Sequence, residues 1–155
     1  MKKIFLFIIV CGVAFACSSN KKSDESSGNE AQNEATSSET EETKPEVFFL
    51  SPQDGDTVGT TVRVSMGVKG MEVEPAGAVN EGKGHHHIII DGSFIEKGVV
   101  VPADSTHIHY GKGQTEVEVT LQPGTHTLTM QFADGFHQSY GESMSAQITV
   151  VVSED

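Results

Sequence analysis

An all-β fold, an immunoglobulin-like antiparallel β-sandwich of about seven strands behind a disordered N-terminal tether, is what this sequence predicts. Three observations carry the expectation. From Val47 onward apolar residues recur at every second position, clusters of Gly, Pro, Asp and Ser separate the runs, and no stretch carries a helical period. A small closed barrel is the alternative all-β solution.

"VFFL" (47–50) opens the first strand and "SPQDGDTV" (51–58) supplies the turn after it. In "TVRVSMGV" (61–68), Val62, Val64, Met66 and Val68 share one face, so Met66 is expected in the core. "HHHIIID" (85–91) is a β-branched run entered through three histidines. "TEVEVTL" (115–121) alternates Val117, Val119 and Leu121 with polar residues. In "THTLTMQF" (125–132), His126, Leu128, Met130 and Phe132 share a face, and "AQITVVV" (146–152) is the last strand. Alternation of this kind means strands with one wet face.

The residues before this pattern are of two other kinds. Lys2 and Lys3 precede an apolar run from Ile4 to Phe15 and a small Ala16, which predicts a signal peptide over residues 1–16. Cys17 follows at once and is the expected lipidation site. The protein is then a lipoprotein of the cell envelope, held through its N-terminal lipid to a membrane, the outer one being expected, on its periplasmic or surface face. Residues 17–44 are Ser-, Glu-, Asn- and Thr-rich, an acidic linker expected to be disordered with a span of about 30 Å. The folded domain then occupies residues 45–155. Both cysteines, Cys11 and Cys17, fall outside it, so the domain has neither a disulfide nor a thiolate ligand or nucleophile. A net charge of −12 with no basic stripe argues against nucleic acid as a partner.

The chemistry rests on the seven histidines. His85 and His87 lie at i and i+2 on one strand and so point to one face, with His86 on the other beside Ile88 and Ile90. His107 and His109 repeat the spacing around Ile108, and His137 lies in the late loop "DGFHQSYG". Imidazole is the commonest protein ligand for Zn and Cu, and three or four rings suit tetrahedral Zn or tetragonal Cu(II). The expected ligands are His85, His87, His107, His109 and His137, with Asp91, Glu116 or Glu142 orienting rings from behind. Gln114 and Thr115 are candidates for the same task, and Met71 and Met144 are open as copper ligands. His86 is expected buried and bonded to backbone. His126 follows the turn "QPG" and is expected to be a structural corner residue, bonded back to a nearby backbone group.

Three blocks resemble a known family. "GHHHIIID" (84–91), "HYGKGQTE" (109–116) and "PGTHTL" (123–128) are similar to the pattern of the bacterial secreted domain of unknown function 4399, over roughly residues 47 to 152. The chain departs from it in the last loop, which lacks the His/Pro-rich stretch of that pattern. The resemblance implies a secreted or membrane-anchored domain and supplies no reaction. "SPQDGDTV" and "MEVEPAG" also resemble small periplasmic copper-handling sandwiches. The expected function is therefore non-enzymatic binding of copper or zinc. An interaction module facing a protein or glycan partner, with structural histidines, is the competing reading. A Zn-dependent hydrolase with Glu116 or Asp91 as base stands third.

Overall fold

The computed structural model describes residues 44–154. The expected signal peptide, Cys17 and nearly all of the expected linker lie outside them. The described chain is all-β: β1 (Glu46–Ser51), β2 (Thr57–Val58), β3 (Thr61–Lys69), β4 (Glu72–Val73), β5 (Lys83–Ile90), β6 (His107–His109), β7 (Glu116–Thr120), β8 (Gly124–Ala133) and β9 (Ser145–Val152), with one 3-10 turn at Glu142–Met144. Among these residues no helix is long and apolar enough to cross a membrane.

Two sheets form. One has the order β1-β3-β7 and the other β2-β9-β8-β5-β4, with β6 pairing β5 beside β4. The alternating positions read from the sequence meet between them. Val62, Val64 and Met66 of β3 and Val119 of β7 pack with Ile88, Leu128, Met130, Phe132, Ile148 and Val150 of the larger sheet. Each such side chain leaves water, at about 25 cal/mol per Å² of apolar surface, which makes this cluster the main source of stability.

The arrangement differs from the expectation in two ways. The described residues form nine strands, of which β2, β4 and β6 have only two or three residues, too few to show a period. Two pairings are parallel, β2 with β9 and β4 with β5, at the margins of an otherwise antiparallel set. Neither margin is visible as alternation, because a two-residue strand is selected by its neighbour rather than by its own pattern.

β5 positions the site. It lies between β8 on one edge and β4 and β6 on the other, and its outer face is as buried as its inner one. The cover is the chain between β5 and β6. Ile95 N–H donates to Gln131 Oε1 at 2.9 Å, Thr129 Oγ1 donates to the Gly92 carbonyl at 2.6 Å, and Ser139 Oγ donates to the Ile95 carbonyl at 2.7 Å. A single-sided strand would leave His85 and His87 in water; under this strap they are 0% and 1% exposed. Gly84, at the start of β5, has no room for a side chain, since a Cβ there would meet the Ala133 carbonyl and the Phe132 ring.

Candidate metal centre

The outer face of β5 carries His85 and His87, as the period of two requires. β6 pairs with β5 in the register His87↔His109 and Ile89↔His107, which sets the His109 ring beside that of His87. The stacked rings of His87 and His109 have centroids 5.0 Å apart. The fourth ring comes from the loop after β8. His137 sits at φ 67°, in the left-handed region that costs a non-glycine residue about 1–2 kcal/mol. Asp134 holds it there: the Asp134 carboxylate accepts from Phe136 N–H at 2.8 Å and Gln138 N–H at 2.9 Å, and its carbonyl accepts from His137 N–H at 2.9 Å. Val101 N–H donates to the His137 carbonyl at 2.9 Å, tying this loop to the strap.

The four rings turn the same nitrogen toward one another. His87 Nε2 is 3.0 Å from His85 Nε2, His85 Nε2 is 3.2 Å from His109 Nε2, and His109 Nε2 is 3.1 Å from His137 Nε2. The ligand atoms of His85, His109 and His137 all lie within 4.8 Å of one another. Metal–nitrogen bonds of about 2.0–2.1 Å place ligand nitrogens about 2.9 Å apart when adjacent in a square plane and about 3.3 Å apart in a tetrahedron. The three contact distances fall in that range, and His85, His109 and His137 form a group whose ligand atoms could hold a metal ion, with His87 touching it through His85.

The electrostatics agree. Burial, followed by the neighbouring rings of His109 and His137, pushes His85 down to about 4, with Asp134 opposing. Burial and the other rings of the group push His87 down to about 3. His109 is lowered by burial and by His137. These three imidazoles are therefore neutral at neutral pH, the form that ligates a metal. Nδ1 of His85 and of His87 is buried without a hydrogen-bond partner. Packing within the sheet, rather than a carboxylate behind each ring, orients these two ligands.

Several expected residues stand elsewhere. His107 is not part of the cluster: Asp104 Oδ1 takes its Nδ1 at 2.9 Å, because its register position is opposite Ile89, two pairs beyond His87. None of the three acids expected behind the rings is there. Asp91 Oδ2 takes Nδ1 of His126 at 2.8 Å, Glu116 pairs with Arg63 at 2.8 Å, and Glu142 is exposed on the 3-10 turn. Gln114 Oε1 accepts from Lys112 N–H at 2.9 Å, and the Thr115 carbonyl accepts from Met66 N–H at 2.8 Å, so neither serves the histidines. Met66 and Met144 are core residues and Met71 packs against them. His126 is the expected corner residue, its Nε2 2.9 Å from the Gln122 carbonyl. His86 is buried on the inner face as expected, but neither of its ring nitrogens bonds to backbone. It packs edge-on against Phe132 instead, centroids 4.9 Å apart, and burial, with His85 a lesser cause, lowers it to about 4.

Two contributors had weak signals in the sequence. Gly111 is the floor under His109: a Cβ there would overlap the ring at Cε1 and Nε2. The block "HYGKG" shows the glycine but not its reason. Asp134 and Gly135 read as a turn, and only the fold shows that the turn aims His137.

A two-sheet β domain whose larger sheet gathers imidazoles from two strands and a loop is thus the class this fold and site define. The chain belongs to the family described as Domain of unknown function (DUF4399), whose model matches residues 64–153, more than half of its length. No curated protein matches it. Among solved structures, an endo-beta-1,4-mannanase from Thermotoga petrophila is similar at 14% identity and a TM-score of 0.43, over 72% of this chain and 20% of the mannanase. The chain thus spans about a fifth of that enzyme's length.

Proposed function

We propose that the domain binds a transition-metal ion, copper or zinc, through His85, His87, His109 and His137, and that it buffers or delivers that ion without catalysing a reaction. On this reading the protein is anchored through lipidated Cys17 and works in the cell envelope, with the linker holding the domain off the membrane. The observation that supports it is the run of Nε2 contacts at 3.0, 3.2 and 3.1 Å across four rings. With the rings protonated at Nδ1, the Nε2 lone pairs would face one another, which is unfavourable alone, and a cation among them turns the arrangement into a stabilising one.

The same residues bear on the alternatives. An interaction module with structural histidines would bond its rings singly to backbone or carboxylate; His126 and His107 do this and the four clustered rings do not. A hydrolase needs a base beside the ion, and the two expected candidates, Asp91 and Glu116, are engaged with His126 and Arg63. Carboxylate support behind ligating rings is commonly worth about 10–100-fold in affinity. Its absence at His85 and His87 suits an exchangeable ion better than a permanent structural one.

Equilibrium dialysis of the purified chain with Zn(II) and Cu(II) tests the proposal. One equivalent retained at micromolar concentration or below, and lost in a His85/His87/His109 triple-alanine variant with unchanged circular dichroism, is the expected result. No retention at neutral pH, or full retention by that variant, overturns it.

A further inference from the structure

Beside the four rings lies a pocket of about 190 Å³, lined by His87, His109 and His137 on one side and by the Val100–Ala103 segment of the strap on the other. Its non-histidine wall is entirely apolar. Val101 is buried, whereas Val100 is 55% exposed and forms part of the mouth. At roughly 30 Å³ per water-sized group the space takes about six heavy atoms. The rings' own packing does not account for this space, because the Val100–Ala103 wall comes from a different segment.

Charge decides what suits it. Four imidazoles bring no negative charge to a divalent ion. The acid nearest in the chain to a ligand, Asp134, has Oδ1 committed to the Phe136 and Gln138 N–H groups. Apolar walls lower the local dielectric, so attraction between the ion and an entering anion is stronger there than in water. The same walls favour a body that carries methyl or methylene groups rather than a second charge.

We propose that the bound ion keeps one exchangeable position facing this pocket, and that the position takes a small monodentate anion with a short apolar body, of the short-chain carboxylate class. The inference rests on the metal-binding reading above and adds an outer ligand to it. Copper(II) held by these ring nitrogens would have room for such an outer ligand. The wall also sets a size limit, since an aromatic acid such as benzoate would exceed the room available.

The experiment loads the full chain with Cu(II), or with Co(II) as the spectroscopic substitute should the chain retain only zinc, and titrates azide and then propionate. Azide is expected to raise a saturable ligand-to-metal charge-transfer band, and propionate to displace it while the metal stays bound. Val100→Asp places a like charge at the mouth and weakens azide binding about threefold, and Val100→Lys strengthens it by a similar factor. Ala103→Phe fills the pocket and removes the azide response. Metal content is expected to be unchanged in all three variants. A chain that retains the metal but shows no azide band, or an azide affinity indifferent to all three variants, overturns this inference and leaves the metal site intact. A chain that retains no metal overturns both.

Discussion

Gly111→Ala is the sharpest probe of the centre, because it adds one methyl group and removes no ligand. The backbone at Gly111 does not lie in the left-handed region, so alanine is conformationally acceptable there. The new Cβ would overlap His109 at Cε1 and Nε2, the atoms that face the other rings. Ordinary carbon contacts lie about 3.5–4.0 Å apart, so the ring has to retreat by roughly an ångström or more. Metal–ligand distances tolerate only about ±0.2 Å. His109 is exposed at its outer side and can move, so the displacement costs the fold little and costs the metal one ligand. The expected result is metal affinity reduced at least ~10–100-fold, the range for merely disturbing a ligand's support. Stability of the metal-free chain should stay within about 1 kcal/mol of the parent. Equilibrium dialysis with Cu(II) and Zn(II), paired with urea unfolding of the metal-free chain, measures both. Parental affinity in the variant would refute the reasoning, as would a loss of affinity fully accounted for by unfolding.

Three further outcomes follow from the other histidines. His86→Leu replaces a buried ring whose two nitrogens have no partner by an apolar side chain, and should raise unfolding stability by about 1–3 kcal/mol in chemical denaturation, with metal affinity nearly unchanged. His126→Ala removes the links to Asp91 and Gln122 and should cost about 1–3 kcal/mol in the same assay; neither it nor His107→Ala should alter metal retention. Acid should destabilise the metal-free chain. His85, His86 and His87 lie at about 4, 4 and 3 when folded, below their ordinary value of 6.5. From about pH 6.5 downward the unfolded chain takes up protons that the folded chain refuses, so stability is full above that pH and falls as pH drops toward 4. Each unit of depression is worth about 1.4 kcal/mol. A urea midpoint that stays level between about pH 7 and pH 5 would contradict this.

The strands long enough to alternate were readable from sequence, and with them the core positions of Val62, Val64, Met66, Leu128 and Met130. The opposite facing of His85 and His86 follows from the same period. What local pattern could not show is which distant segments meet. His107 and His109 have identical spacing to His85 and His87, yet only His109 joins them, because register places His107 two pairs too far along β5. His137 joins through a loop whose geometry depends on Asp134 and on the strap at Val101. The burial of β5 on both faces depends on that strap as well. An irregular segment carries no period, so its position over the sheet is written only in scattered contacts such as Ile95 with Gln131.

The larger sheet finishes at its margins in strands of only two or three residues: β2 at one, β4 and β6 at the other. A neighbour molecule seeking to extend that sheet by main-chain bonding finds too short a row of free amide and carbonyl groups to hold. Edge-to-edge growth is thus discouraged at the larger sheet and left to the smaller one, which ends in β1 and β7, of six and five residues.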